Sequence, residues 1–335
     1  MLNFPEHISL AMLPTPVEKL SRISHDFQGK NIFVKRDDLT GLELSGNKVR
    51  KLEYCLAKAL AEDYDGIITT GGLGSNHCRA SVLACRKLNL ECRLLLRGDE
   101  SAPGDANTFF MRELGFPIRY VTSQEYISNI NIMNTWAAEE YEKNRKRLMV
   151  IPSGASTPTG CWGYIQAFQE IIELSSKNNI YYDTIFCAVG SGGTYAGLWL
   201  GNFFSGYNAR IVGINVCDND EYFRKIIQNL ILQFSKEYGI IVPAKPHIEI
   251  KDGYMGPNYG ICTKEQEKFI RYIFHTETLV LDPVYTGKAF HGMYGELMRP
   301  EYHSSENILF LHTGGVFGLF KSIEDFSKSR EFNLP

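Results

Sequence analysis

DTIFCAVGSGGTYAG, residues 183–197, is the stretch that decides the fold class. An apolar run passes directly into a glycine-rich turn, after which apolar residues recur at the spacing of a helix. A strand that is apolar at nearly every position is typical of a parallel sheet buried on both faces. The stretch therefore predicts one strand–turn–helix unit of a parallel α/β fold.

The same alternation continues on both sides of this unit. Further strand candidates, each bounded by Gly, Asn, Asp or Ser, are NIFVKR, GIITT, CRLLLR, RLMVI, RIVGINV and ILFLH. Stretches with helical spacing lie at residues 48–62, 76–88, 159–174 and 194–204. Strands that alternate with helices predict doubly wound, open parallel sheets.

The length and two clusters of turn-forming residues indicate two domains. A chain of 335 residues is long enough for about two domains. Gly, Ser, Thr and Pro cluster near residues 44–46 and 152–160, which are candidate hinges. We predict a large domain formed by residues 1–45 and 156–335, and a small α/β domain inserted at residues 46–155.

The composition excludes several classes of function. With 35 basic and 38 acidic side chains, the net charge of −3 argues against a nucleic-acid or membrane-surface protein. No apolar run approaches the roughly 20 residues of a membrane-spanning helix, and the first residues do not resemble a signal peptide. The 8 cysteines are scattered without zinc-ligand spacing. We expect a cytoplasmic protein that holds no metal.

The glycine-rich turn of the deciding stretch is a candidate phosphate site. Converging backbone N–H groups and the positive end of a helix dipole suit an anion. The turn is not a Walker loop, and it matches the dinucleotide fingerprint only loosely. A turn whose glycines merely allow close packing is the alternative. The predicted phosphate-binding residues are Gly190, Ser191, Gly192, Gly193 and Thr194.

A second motif, SGNKVRKLEY, places Lys48 in the first turn of a predicted helix. The positive potential at a helix N-terminus lowers the pKa of an amine, although most lysines are solvated surface charges. A lysine combined with a phosphate site suggests a nucleophile for a phosphorylated aldehyde, pyridoxal 5'-phosphate (PLP).

A third motif, TTGGLGSNHCRA, repeats the order of strand, glycine-rich turn and helix. Ser75, Asn76 and His77 open the helix and bring a hydroxyl, an amide and an imidazole to a second anion site. A plain helix cap is the structural alternative, but a cap does not require three preceding glycines.

Together the motifs resemble the D-cysteine desulfhydrase/1-aminocyclopropane-1-carboxylate (ACC) deaminase family. These are PLP enzymes of fold type II, the tryptophan-synthase β fold. The resemblance covers nearly the whole chain and is carried by KRDD, SGNKVRKLEY, GGLGSNH, IPSGASTPTGCWGY, GSGGTYAG, PNYG, DPVYTGKAFHGM and HTGG. It implies a homodimeric enzyme that acts on a small amino acid.

The resemblance also implies roles for the residues around the cofactor. Lys48 matches the lysine that carries PLP as a Schiff base and then removes the substrate α-proton. Asn76 matches the residue that hydrogen-bonds the phenolic oxygen of the cofactor. Ser75, with the turn up to His77, matches the site of the substrate carboxylate. Lys51, one helical turn after Lys48, could reinforce the phosphate site or lie on a solvated helix face.

Two tyrosines and two threonines complete the implied site. Tyr259 and Tyr285 match a pair of active-site tyrosines. Thr286 stands where ACC deaminases have Glu in a Tyr-Glu-Gly-Lys segment, and Thr313 stands where they have Leu in His-Leu-Gly-Gly. Both are candidate contacts of the pyridine nitrogen. A neutral hydroxyl there makes a weaker electron sink than a carboxylate, which favours β-elimination over cyclopropane opening.

We predict a carbon–sulfur lyase that converts D-cysteine to pyruvate, ammonia and hydrogen sulfide. The alternatives are an ACC deaminase, an amino-acid racemase of the same fold, and a PLP-binding protein without turnover. Cys78-Arg79-Ala80 and Asn258 depart from the family pattern and leave the eliminated side chain open.

Overall fold

The computed structural model describes residues 3–257 and 260–320. The strands in these ranges are β1 Val17–Lys19, β2 Asn31–Lys35, β3 Gly66–Gly72, β4 Glu91–Arg97, β5 Ile118–Val121, β6 Leu148–Ile151, β7 Thr184–Val189, β8 Arg210–Asn215, β9 Glu249–Lys251 and β10 Asn307–Leu311. The α-helices are α1 Ser21–Ser24, α2 Asn47–Ala61, α3 Asn76–Lys87, α4 Ala106–Glu113, α5 Asn129–Asn144, α6 Pro158–Asn178, α7 Gly193–Ser205, α8 Asp220–Tyr238, α9 Lys264–Glu277, α10 Thr286–Leu297 and α11 Val316–Leu319.

These strands form two open sheets. The large sheet has the order β1-β2-β10-β7-β8-β9, and the small sheet has the order β5-β4-β3-β6. All pairs are parallel except β1 with β2. The predicted parallel α/β class is confirmed. The antiparallel edge strand β1 was not predicted, because its three residues VEK carry no apolar run.

The small sheet is built from strands between Gly66 and Ile151, within the range 46–155 predicted for the inserted domain. The strands of the large sheet lie before and after that range. The domain boundaries themselves stay a prediction.

Both faces of the large sheet are buried, which explains why β7 is apolar throughout. Ile185 and Cys187 pack in one core cluster with α6, α7 and α8, whereas Phe186 packs in the opposite cluster with α9 and α10. Successive side chains of a strand point to opposite faces, so a strand covered by helices on both sides needs no polar position.

A buried ion network fixes α2 against the large sheet and α6. The Arg50 guanidinium donates to Asp37 Oδ1 and Oδ2 at 2.8 and 2.9 Å, and to Glu170 Oε1 at 2.7 Å. Burial alone would raise the pKa of Asp37, but the charges of Arg50 and Lys35 lower it below its ordinary value. A Cβ at Gly163 of α6 would lie 2.3 Å from the Arg50 carbonyl oxygen, so glycine permits this close helix contact.

The topology brings the motifs to one place. Strands β3, β7 and β10 lead directly into the turns that carry the GGLGSNH, GSGG and HTGG motifs. In open parallel sheets, ligands bind beyond the carboxyl ends of the strands. The site is therefore expected where the ends of the two sheets meet.

Candidate active site

A cavity of about 930 Å³ lies at the carboxyl ends of both sheets. Its volume is in the range of small-molecule sites. Most of the predicted site residues line it: Lys48, Ser75, Asn76, His77, Gly190, Ser191, Gly192, Thr194, Tyr285 and Thr313. Gly193 is buried within the same loop as its neighbours.

Two predicted site residues that the structure describes, Lys51 and Thr286, lie outside the cavity lining. A third, Tyr259, lies outside the described residues. Thr286 is turned away, because its hydroxyl donates to Asp282 Oδ1 at 2.7 Å and accepts from the Asp282 N–H at 2.9 Å. Lys51 is fully buried in α2, one turn beyond Lys48.

The loop 190–194 forms a cradle at the N-terminus of α7. Gly192 has a φ of +83°, which favours glycine, and α7 begins at the next residue. The Gly193 N–H donates to Ser156 Oγ at 3.2 Å, and Ser156 Oγ donates to Ser191 Oγ at 2.9 Å. A Cβ at Gly193 would lie 2.7 Å from Ser156 Oγ. Serine hydroxyls close to the N-terminus of a helix are groups that can bind an anion.

The first turn of α2 is tied to this loop and to Thr313. The Asn47 side chain donates to Thr194 Oγ1 at 2.9 Å, and the Asn47 N–H donates to the Thr313 carbonyl at 3.1 Å. Gly46 has a φ of +102°, and a Cβ there would lie 2.7 Å from the Thr313 oxygen. These contacts hold Lys48 between the loop 190–194 and Thr313.

Two of the three lysines of α2, Lys48 and Lys51, have depressed pKa values. Burial, followed by the charge of Lys51, lowers the pKa of Lys48 well below its ordinary value, while Asp282 opposes the shift. Burial lowers the pKa of Lys51 to about 8. Within the described ranges, Lys51 Nζ has no hydrogen-bond partner. An unpaired buried amine is a costly arrangement unless an anion accompanies it.

Asp282 is a site residue that the sequence analysis missed. It accepts the N–H groups of Val284, Tyr285 and Thr286 at 2.8 to 2.9 Å, and so fixes the start of α10 and the backbone of Tyr285. Burial raises its pKa despite these hydrogen bonds. The Asp-Pro pair in DPVYTGKAFHGM was a turn signal that could have identified it.

Ser75 caps α3 from inside the glycine-rich turn. Its Oγ accepts the Cys78 N–H at 3.2 Å, and a Cβ at Gly71 would lie 2.4 Å from that oxygen. Because the oxygen acts as an acceptor, the hydroxyl proton can be donated to a ligand. Asn76 Oδ1 is buried and has no partner among the described residues.

His77 is a neutral histidine with a fixed tautomer. Thr69 Oγ1 donates its proton to the Ile151 carbonyl at 2.7 Å, so it accepts the Nε2–H of His77 at 2.7 Å. Burial, followed by the charges of Lys48 and Lys51, lowers the pKa of His77 well below its ordinary value. His77 therefore adds no positive charge to the cavity.

The cavity also has a wall that no motif predicted. This outer wall belongs to the small sheet and to the segment before and at the start of α5, and it consists of Arg97, Ser123, Tyr126 and Asn129. The position of Arg97 at the end of the predicted strand CRLLLR was the available signal, since site residues follow strand ends.

Metal-binding clusters and membrane-spanning helices are both absent from residues 3–257 and 260–320. Groups of three or more His, Cys, Asp or Glu side chains that could hold a metal do not occur there. The helices in these ranges are too short or too polar to cross a membrane.

The chain is similar to known proteins along nearly its whole length. A family model described as pyridoxal-phosphate dependent enzyme matches residues 8–314. The bifunctional D-cysteine desulfhydrase/ACC deaminase of Arabidopsis thaliana mitochondria is 36% identical over 333 residues, covering 96% of this chain and 82% of the relative. A Thermotoga maritima protein, provisionally named an ACC deaminase, is 41% identical over 315 residues, covering 93% and 97%. A crystal structure of an ACC deaminase homologue, 36% identical, superposes with a TM-score of 0.86 over 96% of both chains.

Proposed function

The chain belongs to the pyridoxal-phosphate-dependent enzyme family, and from this premise we propose that it is a D-cysteine desulfhydrase. It would release pyruvate, ammonia and hydrogen sulfide by α,β-elimination. The observation that carries the proposal is the position of Lys48. Its amine, with a depressed pKa, lies in a cavity between the cradle 190–194 and a second helix N-terminus at Ser75.

The residues present fit PLP. Lys48 would hold the cofactor covalently, the loop 190–194 its phosphate, Thr313 its pyridine nitrogen and Asn76 its phenolic oxygen. A Cβ at Gly192 or Gly193 would lie 3.0 or 2.7 Å from a neighbouring side chain, so the shape of the cradle requires glycine there. The unpaired Lys51 amine would supply a nearby positive charge. When bound, PLP supplies an electron sink that acidifies the substrate α-proton and lets the β-substituent depart.

Lys48 is the proposed base for the α-proton. A base works best when its pKa lies near the working pH, and the burial of Lys48 moves its pKa in that direction. The contacts of Asn47 with Thr194 and Thr313 fix where the helix starts and therefore where the amine lies.

The substrate carboxylate would bind at the N-terminus of α3. Ser75 can donate its hydroxyl proton, and the first N–H groups of the helix point toward an anion. Because His77 is neutral, it would act through its backbone and by anchoring the turn to Thr69, without contributing a charge.

Tyr285 is the proposed proton source for the departing sulfur among the described residues. It lines the cavity and lies against the cradle, with its ring 3.2 Å from the position of a Cβ at Gly190. Asp282 fixes its backbone. Tyr259 stays a prediction for the second tyrosine.

The positions of Thr286 and Thr313 favour elimination of a thiol over deamination of ACC. Thr313 lines the cavity and offers a neutral hydroxyl, whereas Thr286, at the ACC deaminase glutamate position, is bonded to Asp282. A weak electron sink suffices when the leaving group is good. ACC deaminase is the second candidate, because the similar proteins carry that name as well.

The proposal includes a cytoplasmic homodimer in which residues 46–155 form the inserted domain. Light scattering of the purified protein gives the subunit number, and cell fractionation gives the compartment. Separate expression of residues 46–155 tests whether that segment folds independently.

The deciding experiment measures sulfide, pyruvate and 2-oxobutyrate from PLP-loaded protein supplied with D-cysteine, L-cysteine, ACC and D-serine. We expect sulfide and pyruvate from D-cysteine, and neither product from the Lys48→Ala variant. Release of 2-oxobutyrate from ACC without sulfide from D-cysteine would overturn the proposal in favour of the second candidate.

A further inference from the structure

The cavity extends past the residues assigned to the cofactor, along the outer wall. Arg97 ends β4 and lies beside Gly72 of β3 and Val121 of β5 in the parallel register. Gly72 begins the turn that leads to Ser75. Arg97 therefore lies at the carboxyl end of the small sheet, next to the proposed site of the substrate carboxylate.

An aromatic contact orients the Arg97 side chain. Its Cζ lies 5.2 Å from the centroid of the Tyr126 ring, which is a cation–π contact. Asn129 Nδ2 donates to the Tyr126 carbonyl at 2.7 Å and ties the start of α5 to the same wall. Arg97, Tyr126 and Asn129 are thus connected along the wall.

The charge of Arg97 acts across the cavity. Cys217 follows β8 of the large sheet and lines the cavity opposite the outer wall. Burial raises the pKa of its thiol to about 11, and Arg97 is among the charges that oppose this rise. The Arg97 guanidinium and the carboxyl end of the large sheet therefore border the same cavity.

Among the described residues that line the cavity, Arg97 is a side chain that stays positively charged at every physiological pH. Among the described lining residues, the other charged types are Lys48, whose pKa is depressed, and Asp218, which is exposed beside Cys217. A guanidinium keeps its charge at every physiological pH and binds oxyanions through two parallel hydrogen bonds.

We propose that the outer wall is a subsite for an anionic β-substituent of the substrate that can leave with its electron pair, such as a sulfonate or a phosphate. This inference rests on the proposed lyase function. In the elimination, the electron pair left by the α-proton forms the Cα–Cβ double bond, and the bond from Cβ to its substituent breaks with the pair on the substituent. The departing group is an anion, and Arg97 stabilises it, assisted by the polar groups of Ser123 and Asn129.

The test compares ligands that differ by one charge. Aspartate and asparagine are nearly isosteric, have no good β leaving group, and can be titrated in both enantiomers against the visible absorbance of the PLP-loaded enzyme. We expect one enantiomer of aspartate to bind about tenfold more tightly than the matching asparagine. Arg97→Gln removes this preference, and Arg97→Lys, which keeps the charge, retains part of it.

Arg119→Gln is the matched control. Arg119 lies on the neighbouring strand β5, with its Cζ 4.1 Å from the Trp136 ring centroid, and it pairs with Glu139 away from the cavity lining. This variant is expected to keep the wild-type preference for aspartate.

Two results would overturn the inference, and only the second would also overturn the proposed function. Equal affinity for aspartate and asparagine in the wild type, or a preference that survives Arg97→Gln, removes the subsite while D-cysteine turnover in the same preparation leaves the lyase intact. Loss of turnover with D-cysteine, L-cysteine and ACC alike removes the proposed function, and the subsite with it.

Discussion

Helix α2 buries cations on two of its faces, and their surroundings differ. Arg50 makes ion pairs with Asp37 and Glu170, and its side chain is 0% exposed. Lys51 is equally buried, but its amine has no hydrogen-bond partner within the described ranges, and Lys48 lines the cavity with a depressed pKa. Neighbouring positions of one helix thus carry one cation in short ion pairs and two amines whose pKa values are depressed.

The difference separates a structural role from a functional one. A buried charge that is paired at short distance is fixed by the fold and adds no chemistry. A buried amine without a partner is held at a cost in stability, and such a cost persists at sites where a ligand or a reaction uses the group. Variants that remove each kind of buried charge test this distinction.

Replacement of Lys48 should have the largest effect on turnover. Lys48→Ala removes the proposed base, and we expect elimination to fall by about 10³-fold or more. The free energy of unfolding should not fall, because the lost amine was unfavourably buried. Sulfide release and chemical denaturation measure the two quantities. Lys58→Ala, on the exposed side of the same helix and paired with Glu237, is the control that should keep turnover.

Replacement of Arg50 should have the opposite result, a large loss of stability without a specific loss of turnover. Arg50→Met removes the ion-pair partner of buried Asp37 and leaves Glu170 with Lys35 alone, and we expect the free energy of unfolding to fall by about 3–5 kcal/mol. Arg36→Met is the control, since the pairs of Arg36 with Glu18 and Asp38 lie nearer the surface and should contribute about 1 kcal/mol or less. A stable Arg50→Met protein that has lost turnover would break the distinction between the two faces.

The depressed pKa of Lys51 predicts that the stability of the apoprotein depends on pH. The folded chain releases the Lys51 proton near pH 8, whereas an unfolded chain keeps it to about 10.5. The unfolded state binds more protons between these values, so stability rises with pH across this window. Relative to Lys51→Met, the wild-type apoprotein should gain about 3 kcal/mol from pH 8 to 10.5. Denaturation of both proteins at several pH values measures this gain, and parallel curves would contradict it.

The family and the cofactor could be predicted from the sequence because their signals are local. The motifs around Lys48, Ser75 and Gly190 each occupy one strand–turn–helix unit, and the family membership and PLP dependence that they implied are confirmed. The parallel strands were predicted for the same reason, because burial on both faces leaves a continuous apolar run.

Residues that meet only through the topology could not be predicted in this way. Asp37, Arg50 and Glu170 are brought together by packing of α2 against α6, although the first and last of them are 133 positions apart in the sequence. Arg97 enters the cavity because β4 lies beside β3 in the small sheet. No spacing in one sequence indicates which strand ends become neighbours, so such residues appear only when the sheet order is known.

The same comparison can be made between two hydroxyl groups, those of Thr286 and Thr313. Their replacement is expected to have the smallest effects. The Thr286 hydroxyl is bonded to buried Asp282, so Thr286→Val should lower the free energy of unfolding by about 1–3 kcal/mol and leave the visible absorbance of the bound cofactor unchanged. Thr313→Val should leave stability within about 1 kcal/mol and shift that absorbance, because its side chain lines the cavity. An absorbance shift in Thr286→Val alone would exchange the two assignments. It would also show that a hydroxyl already bonded within the fold can serve the site, in which case pairing in the structure would not distinguish structural groups from functional ones.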